Sequence, residues 1–248
     1  MTIEPTIAWF AGIIFIAYAV QNAVGFGALL VCVTLGAHLL DMREIITLAI
    51  PLSMLQSGTV VWRDRSAIVH GLLFRRILPL MSLGLVLGFV LARDLRGDVL
   101  RTLFAGLVIV LALRELWILW RSSKASSAER RPPRVLSVAA IFGAGILHGL
   151  YAAGGPMLVY AVGREDLDKR QFRATLSAVW IGLNTLLIGG FVLEGRYTST
   201  TLRSMAVLLV ALPFGMLTGE LMHRRVAERP FKAGVYGLLV VAAASLLG

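Results

Sequence analysis

Eight long apolar runs dominate the 248-residue chain and limit its possible folds more than any other feature. They lie at about 7–40, 44–62, 77–92, 99–120, 135–162, 174–193, 204–222 and 231–247. A helix needs roughly 20 apolar residues to cross about 30 Å of hydrocarbon, whereas membrane β-strands give short alternating segments. The runs therefore predict an all-α polytopic membrane protein with the lipid bilayer as its first partner. The composition agrees, since 58% of the residues are hydrophobic and only 15% are charged.

The net charge of +10 does not indicate a nucleic-acid partner. The Lys and Arg residues stand in short clusters between the apolar runs, where cytoplasmic loops of membrane proteins carry their positive charge. The N-terminus lacks the basic segment of a cleaved signal peptide, so we expect the first run to stay in the mature protein. The single cysteine, Cys32, forms neither an intramolecular disulfide nor a thiolate metal site alone.

The first and fifth runs are too long for one crossing. A helix of 34 residues would measure about 51 Å, well beyond the hydrocarbon thickness. Both runs are interrupted near the middle, by Gln21–Gly27 in the first and by His148–Pro156 in the fifth. Glycine and proline disfavour a continuous helix there. Each run is therefore either a long tilted helix or a helical hairpin that returns to its starting side.

Charge distinguishes these two topologies. If all eight runs cross once, the 24 Lys and Arg residues divide 12 and 12 between the two sides. If the two long runs are hairpins, 18 lie on one side and six on the other: Arg43, Arg93, Arg96, Arg101, Arg196 and Arg203. Such asymmetry is what membrane insertion favours. We therefore predict hairpins, a multi-pass inner-membrane protein and both termini outside.

The two halves of the chain resemble each other. A polar Ser- and Pro-rich cytoplasmic linker at 122–134 separates a first repeat at 1–121 from a second at 135–248. A shift of 128 positions places Gly27 on Gly155, Thr47 on Thr175 and Gln56 on Asn184. A further small shift aligns Gly84-x-x-x-Gly88 with Gly215-x-x-x-Gly219, a spacing that permits close helix packing. The repeats would be inverted, each a glycine-broken hairpin followed by three transmembrane helices, which is typical of secondary transporters.

The segments Val24-Gly-Phe-Gly-Ala-Leu and Ala153-Gly-Gly-Pro-Met-Leu resemble the tandem glycine-rich repeats of the sulfite exporter TauE/SafE family. The resemblance extends from about residue 7 to residue 247, although Phe26, Ala28 and Ala153 depart from the glycine pattern. It implies a permease that exports sulfite, or an organosulfonate such as sulfoacetate. A permease for another small carboxylate or anion and a passive anion channel are the alternatives.

The hairpin tips are the first candidate binding site. A half-helix that starts after a break presents unpaired N–H groups and the positive end of its dipole, which suits an anion. Gly25, Gly27, Gly154 and Gly155 would let an oxyanion approach the backbone, and the anion would lie between the two hairpins. Close helix packing is the alternative reason for these glycines.

Polar residues in apolar surroundings are the second candidate group. Gln56 and Asn184 occupy equivalent mid-span positions, and a buried amide is costly unless it is hydrogen-bonded. Ser57 and Thr185 follow them, although such hydroxyls often bond their own helix backbone. The remaining candidates are Gln21, Asn22, Phe26, His148 and Tyr151. His148 is the candidate for a coupled proton, and a purely structural role is the alternative for each of these residues.

Several motifs are absent from the sequence. It has no phosphate-binding loop, no H-E-x-x-H, no G-x-S-x-G and no histidine pair at metal-ligand spacing, so we expect neither an enzyme nor a cofactor or metal. Acidic residues are nearly missing from the mid-membrane runs, which favours an anionic over a cationic cargo. A homo-oligomer is compatible with the sequence, which leaves the oligomeric state open.

Overall fold

The computed structural model describes residues 5–24, 27–121, 134–162, 165, 167–225 and 228–247, and these contain helices and turns but no strand. The helices are α1 (Pro5–Val24), α2 (Ala28–Gly36), α3 (Met42–Asp64), α4 (His70–Leu72), α5 (Leu78–Asp94), α6 (Gly97–Arg121), α7 (Arg134–Tyr151), α8 (Gly155–Val162), α9 (Lys169–Leu193), α10 (Ser199–Arg225) and α11 (Glu228–Ala244). A π-helical turn, Leu73–Ile77, joins α4 to α5, so that His70–Asp94 is one continuous apolar helix.

Six of the described helices are long and apolar enough to cross a membrane, judged by length and composition. They are Pro5–Asn22, Met42–Ala67, His70–Asp94, Gly97–Arg121, Lys169–Leu193 and Ser199–Met222. Large apolar side chains cover much of their outer surface; Leu193 is 89% exposed and Trp120 is 78% exposed. Lipid tails accept such a surface, whereas water would not. The prediction of an all-α polytopic membrane protein is confirmed.

The first long run is broken after α1, and α2 folds back along it. Gly27 caps α2 in a left-handed conformation, with a φ of 103° that a residue with a side chain rarely adopts. Near the tip, the Gln21 Oε1 atom accepts a hydrogen bond of 2.9 Å from the Ala28 amide. At the open end, a Cβ atom on Gly36 would come within 2.8 Å of the Phe10 ring. Helices α1 and α2 therefore form an antiparallel pair, called hairpin 1 below.

The fifth run has the same construction. Helix α7 ends at Tyr151, Ala152 turns the chain with a φ of 55°, and α8 starts at Gly155. Gly154 lies against the Ala144 carbonyl, and the Ser137 hydroxyl is 3.4 Å from the Ala161 carbonyl oxygen. These contacts make α7 and α8 antiparallel, and the pair is called hairpin 2. With eight residues, α8 is only about 12 Å long and too short to cross a bilayer.

The chain divides into two compact units that draw on both halves of the sequence. The first unit comprises Met1–Ile46, Leu95–Glu129 and Ser199–Gly248, and its main helix contacts are α1 with α10 and α6 with α11. The second unit comprises Thr47–Asp94 and Arg130–Thr198, and there α5 packs along α7. Each hairpin thus packs on a long helix from the opposite half. The repeat boundaries at 1–121 and 135–248 remain a prediction about the sequence and are distinct from these units.

Glycines account for the close packing inside each unit. In the second unit, a Cβ atom on Gly84 or Gly88 would overlap backbone carbonyls of α7, and one on Gly145 or Gly149 would overlap carbonyls of α5. In the first unit, Gly215 and Gly219 of α10 lie in the same way against Phe15 and Ala19 of α1. The two glycine pairs aligned in the sequence therefore serve the same purpose, as small-residue motifs do in membranes.

Ion pairs of the second unit indicate which helix ends lie on the same side of the membrane, and therefore how many times the chain crosses it. Three of them join helix ends and loops that are distant in the sequence: Arg76 with Glu165 at 2.6 Å, Arg170 with Asp64 at 2.7 Å, and Arg93 with Glu194. With eight crossings, the partners in each pair would lie on opposite sides of about 30 Å of hydrocarbon. With two hairpins, they lie on the same side. The contacts agree with the hairpin topology, while the inverted relation of the halves and the absolute orientation remain predictions.

Candidate functional site

A buried histidine lies near the tip of hairpin 2. His148, in the last turns of α7, is 1% exposed. Its Nε2 atom is 3.0 Å from the Oδ1 atom of Asn184. A carbonyl oxygen can only accept, so Nε2–H donates and the neutral ring has a bare lone pair on Nδ1. Nδ1 is buried and has no hydrogen-bond partner among the described residues. The imidazole can therefore take up a proton or accept a hydrogen bond from a ligand.

Asn184 connects this histidine to α3. It is fully buried in the middle of α9, and its Nδ2 atom is 3.4 Å from the Ser53 hydroxyl. The structure thus places Asn184 beside His148 near the tip of hairpin 2, and its role in substrate binding stays a prediction. Ser53 was not among the sequence candidates. It precedes Ser57 by four positions, so both lie on one face of α3, and that spacing was the available signal.

The Ser57 hydroxyl is the second unpartnered group. Ser57 is fully buried, and its Oγ atom has no hydrogen-bond partner among the described residues. Gln56, the neighbouring candidate, is 4% exposed, so its amide also lies inside the protein. An unsatisfied hydroxyl of this kind costs about 1–3 kcal/mol, which a bound ligand or water would offset. Ser57 thus differs from the serines that bond their own helix.

The glycines at the tip of hairpin 2 have separate roles. A Cβ atom on Gly154 would overlap the Ala144 carbonyl and approach His148 Cβ at 3.1 Å, so this glycine closes the hairpin. A Cβ atom on Gly155 would meet only the Trp180 ring, at 3.9 Å. The space beside Gly155 is therefore open to a small group. Trp180 itself stacks on His148 with ring centroids 5.3 Å apart.

The described candidates on hairpin 1 make contacts within the first unit. Gln21 accepts from the Ala28 amide across the tip, and the Asn22 Nδ2 atom donates to the Met216 carbonyl of α10 at 2.8 Å. Gly27 supplies the left-handed turn described above. Gly25 and Phe26 lie outside the described residues. Gln21, Asn22 and Gly27 therefore make contacts or turns within the first unit, and their role in substrate binding stays a prediction.

The last two candidates differ in burial. Tyr151 is 2% exposed at the end of α7. Thr185 is exposed, and its hydroxyl donates to the Ile181 carbonyl of its own helix at 2.8 Å. The structure therefore brings together His148, Asn184, Gly154, Gly155, Trp180 and Ser53, called the His148 cluster below. Thr185 faces away from Asn184 on α9 and is not part of it.

The His148 cluster is polar but carries no fixed charge. Among the described residues, His148 is the only buried side chain that can become positive. The one buried carboxylate in that part of the chain, Asp64, is paired with Arg170. No group of three or more His, Cys, Asp or Glu side chains that could hold a metal ion occurs in the described ranges. The chemistry available in the cluster is hydrogen bonding and the transfer of one proton.

Comparison with known proteins agrees with this architecture. The profile of the sulfite exporter TauE/SafE family matches residues 10–246. A relative from Comamonas testosteroni, the probable inner membrane transporter protein TsaS, is 28% identical over 210 residues, which cover 82% of this chain and 80% of the relative. No solved structure shows significant similarity to the chain. Because the family profile covers nearly all of its helices, the chain belongs to the sulfite exporter TauE/SafE family and is a membrane transporter.

Proposed function

We propose that this transporter moves a small sulfur oxyanion, sulfite or an organosulfonate, outward across the inner membrane, and that the His148 cluster binds it. The observation that supports this most directly is the buried His148 Nδ1 atom, which has no hydrogen-bond partner among the described residues. Ser57 Oγ, one helical turn from Ser53 on α3, is a second such atom, and the Tyr197 hydroxyl, outside the cluster, is a third. The sulfur oxyanion and the direction of transport come from the family description. The anionic class also rests on the chemistry of the cluster.

An anion needs donors and compensation of its charge. The Ser57 hydroxyl can donate, and at the start of α8 the Gly155 and Met157 amides have no partner within their helix, since Pro156 has no N–H and the Leu158 amide bonds to the Gly154 carbonyl. Open space beside Gly155 lets a small oxyanion reach these amides. A fully desolvated anion would still be costly without a positive charge nearby. Protonation of His148 at Nδ1 supplies that charge, because Nε2 already donates to Asn184.

Proton uptake would therefore accompany anion binding. The loaded site would hold an imidazolium and a monovalent anion, which together are electrically neutral. Such a neutral pair is buried in the low-dielectric interior of the protein at a smaller cost than the anion alone. Binding would strengthen as the pH falls, and the anion and the proton would move in the same direction. Alternating access would then release both on the other side.

The first test is ligand binding by variants of the detergent-purified protein. A ligand that binds only the folded state raises its thermal stability, so sulfite, sulfoacetate, taurine, sulfate, acetate and phosphate can be compared by thermal shift. We expect a shift with sulfite or sulfoacetate in the wild type. Asn184→Leu and His148→Gln should abolish this shift. Thr185→Val is the matched control, since Thr185 adjoins Asn184 but lies outside the cluster, and it should bind normally.

An Asn184→Leu variant that folds and binds sulfite like the control would refute the assigned site. A shift in the wild type only with acetate or phosphate would retain the site but change the cargo. Proteoliposomes complete the test, because saturable counterflow indicates a carrier and unitary currents indicate a channel. If His148→Gln retains the wild-type pH dependence of transport, His148 does not carry the proton.

A further inference from the structure

An open apolar groove lies on the outer surface of the second unit, between α3 and α9. Its volume is about 660 Å³, and its lining includes Pro51, Leu55, Gly58 and Trp62 of α3 and Ile181 and Ile188 of α9. Leu55 is 52% exposed and Trp62 is 79% exposed. The groove is separate from the His148 cluster, because Ser53 and Ser57 are buried in the protein while these residues line its surface.

The groove has the length of one membrane leaflet. Pro51 and Trp62 are 11 positions apart on α3, which corresponds to about 16 Å along a helix axis. This length is close to the thickness of one leaflet, which is half of a hydrocarbon core of about 30 Å. Trp62 marks the interfacial end, where exposed tryptophan is common in membrane proteins. A single extended acyl chain therefore matches the groove in both length and polarity.

Basic side chains stand at the interfacial end of the groove. Arg63 and Arg65 are both exposed and lie one and three positions after Trp62. The only acidic residue between them, Asp64, accepts a hydrogen bond of 2.7 Å from Arg170 and contacts the Arg63 Nε atom at 3.4 Å. Asp168 caps α9 beside Arg170, so Arg63, Arg65, Lys169 and Arg170 stand against two carboxylates and still leave a local excess of positive charge. Anionic phospholipid head groups are attracted to such sites.

Gly58 provides the room for a chain on the floor of the groove. A Cβ atom added there would meet no atom within 4 Å. This glycine is therefore not required for helix packing, in contrast to Gly84 and Gly145. A larger side chain at position 58 would fill the groove without displacing the protein around it.

We propose that this groove binds one acyl chain of an anionic phospholipid, with the head-group phosphate held by Arg63 and Arg65. The lipid would lie across α3 and α9, the two helices that carry Ser53, Ser57 and Asn184. It would stabilise the second unit in the manner of any ligand of the folded state. A neutral phospholipid would fill the same groove but lack the contact with the arginines.

Thermal melting of the full chain in detergent tests the proposal, with dioleoyl phosphatidylglycerol or dioleoyl phosphatidylcholine added at equal concentration. We expect phosphatidylglycerol to raise the Tm more than phosphatidylcholine does. Gly58→Leu should lose most of the phosphatidylglycerol shift. Gly106→Leu is the matched control. A Cβ atom at position 106 also meets no atom within 4 Å, but Gly106 lies in the first unit, away from the groove. It should respond like the wild type.

A second variant tests the head group without altering the groove. Arg63→Gln combined with Arg65→Gln should reduce the phosphatidylglycerol shift to that of phosphatidylcholine. The proposal is overturned if Gly58→Leu retains the full shift, or if both lipids stabilise the wild type equally. It is also overturned if Gly58→Leu only converts a dimer to a monomer, because the groove would then be an interface between two copies of the chain.

Discussion

Glu194 is the centre of a compact ion-pair cluster just beyond the end of α9. It accepts hydrogen bonds from Arg93 and from Arg196, the latter at 2.6 Å, and its side chain is only 17% exposed. Burial by itself would raise the pKa of the Glu194 carboxyl, but the hydrogen bonds and charges of Arg93 and Arg196 hold the pKa below its ordinary value. The ionised form is therefore favoured by folding.

A pH dependence of stability follows from this cluster. Because the folded pKa is lowered, the stabilisation is fully present above the unfolded value of about 4.3 and is lost as the pH falls through the folded value. We expect Glu194→Gln to lower the Tm by several degrees at pH 7. The difference from the wild type should shrink as the pH falls below about 4. Thermal melting of detergent-purified protein over a pH series measures both effects.

An exposed ion pair provides the control for this prediction. Asp98 pairs with Arg96 at 2.9 Å, but both side chains are more than 70% exposed, so solvent screens their interaction. Asp98→Asn should therefore leave the Tm almost unchanged at every pH. Equal losses in the Asp98 and Glu194 variants would show that overall charge, rather than the Glu194 ion-pair cluster, determines the effect.

At the scale of single residues, the sequence predicts which polar side chains need a partner, because this depends only on their position within an apolar run. A polar side chain in an apolar run must find a partner, and Asn184 was a candidate for that reason, whereas His148 was a candidate because it lies at the second helix break and can titrate. Their contact with each other was not predictable, since it joins side chains 36 positions apart in the chain, one on α7 and one on α9. Ser57 is buried and Thr185 is exposed, and this difference depends on which face of each helix packs inside the protein.

At the scale of the helices, the glycines divide into two groups. Gly145 on α7 has no room for a side chain, since a Cβ atom would overlap the Met81 carbonyl of α5. Gly106 on α6 has open space around it. The same residue type therefore permits close helix packing at one position and contributes little at the other.

Alanine substitutions should separate these two groups. In a helix interior, alanine is favoured over glycine by up to about 1 kcal/mol, so Gly106→Ala should be neutral or stabilising. Gly145→Ala should instead lower the Tm by several degrees or prevent folding, because α5 and α7 must move apart. Size-exclusion chromatography and thermal melting of both variants measure this. A Gly145→Ala variant as stable as Gly106→Ala would show that α5 and α7 are not in close contact.

The helix breaks were predictable from local sequence, and the pairing of the helices was not. Gly27 and the turn before Gly155 lie inside the predicted interruptions, because backbone conformation depends on the residues at the break. The packing of α1 on α10 and of α5 on α7 joins distant parts of the chain. The glycine pairs indicated that close partners exist but could not specify which helix each pair contacts.

At the scale of the whole molecule, the number of crossings determines which loops share a side. Ser66 and Thr200 are both exposed. Ser66 lies just after the end of α3, and Thr200 lies at the start of α10. With hairpins, the fifth run starts and ends on the same side of the membrane. Three crossings, those of α5, α6 and α9, then separate Ser66 from Thr200, so the two residues lie on opposite sides. With eight single crossings they fall on the same side. The positive-inside rule further predicts Ser66 in the cytoplasm and both termini outside.

Cysteine labelling in intact cells tests number and orientation together. Cys32 is buried and is first replaced by serine to remove the native thiol. Single cysteines are then introduced as Ser66→Cys and Thr200→Cys, and a membrane-impermeant maleimide is added before and after permeabilisation. We expect Thr200→Cys to react in intact cells and Ser66→Cys only after permeabilisation, because the cytoplasmic side holds 18 of the 24 basic residues in this topology. The same reactivity of both positions, in intact cells or only after permeabilisation, would indicate eight crossings, and the reverse pattern would keep the hairpins but invert the protein.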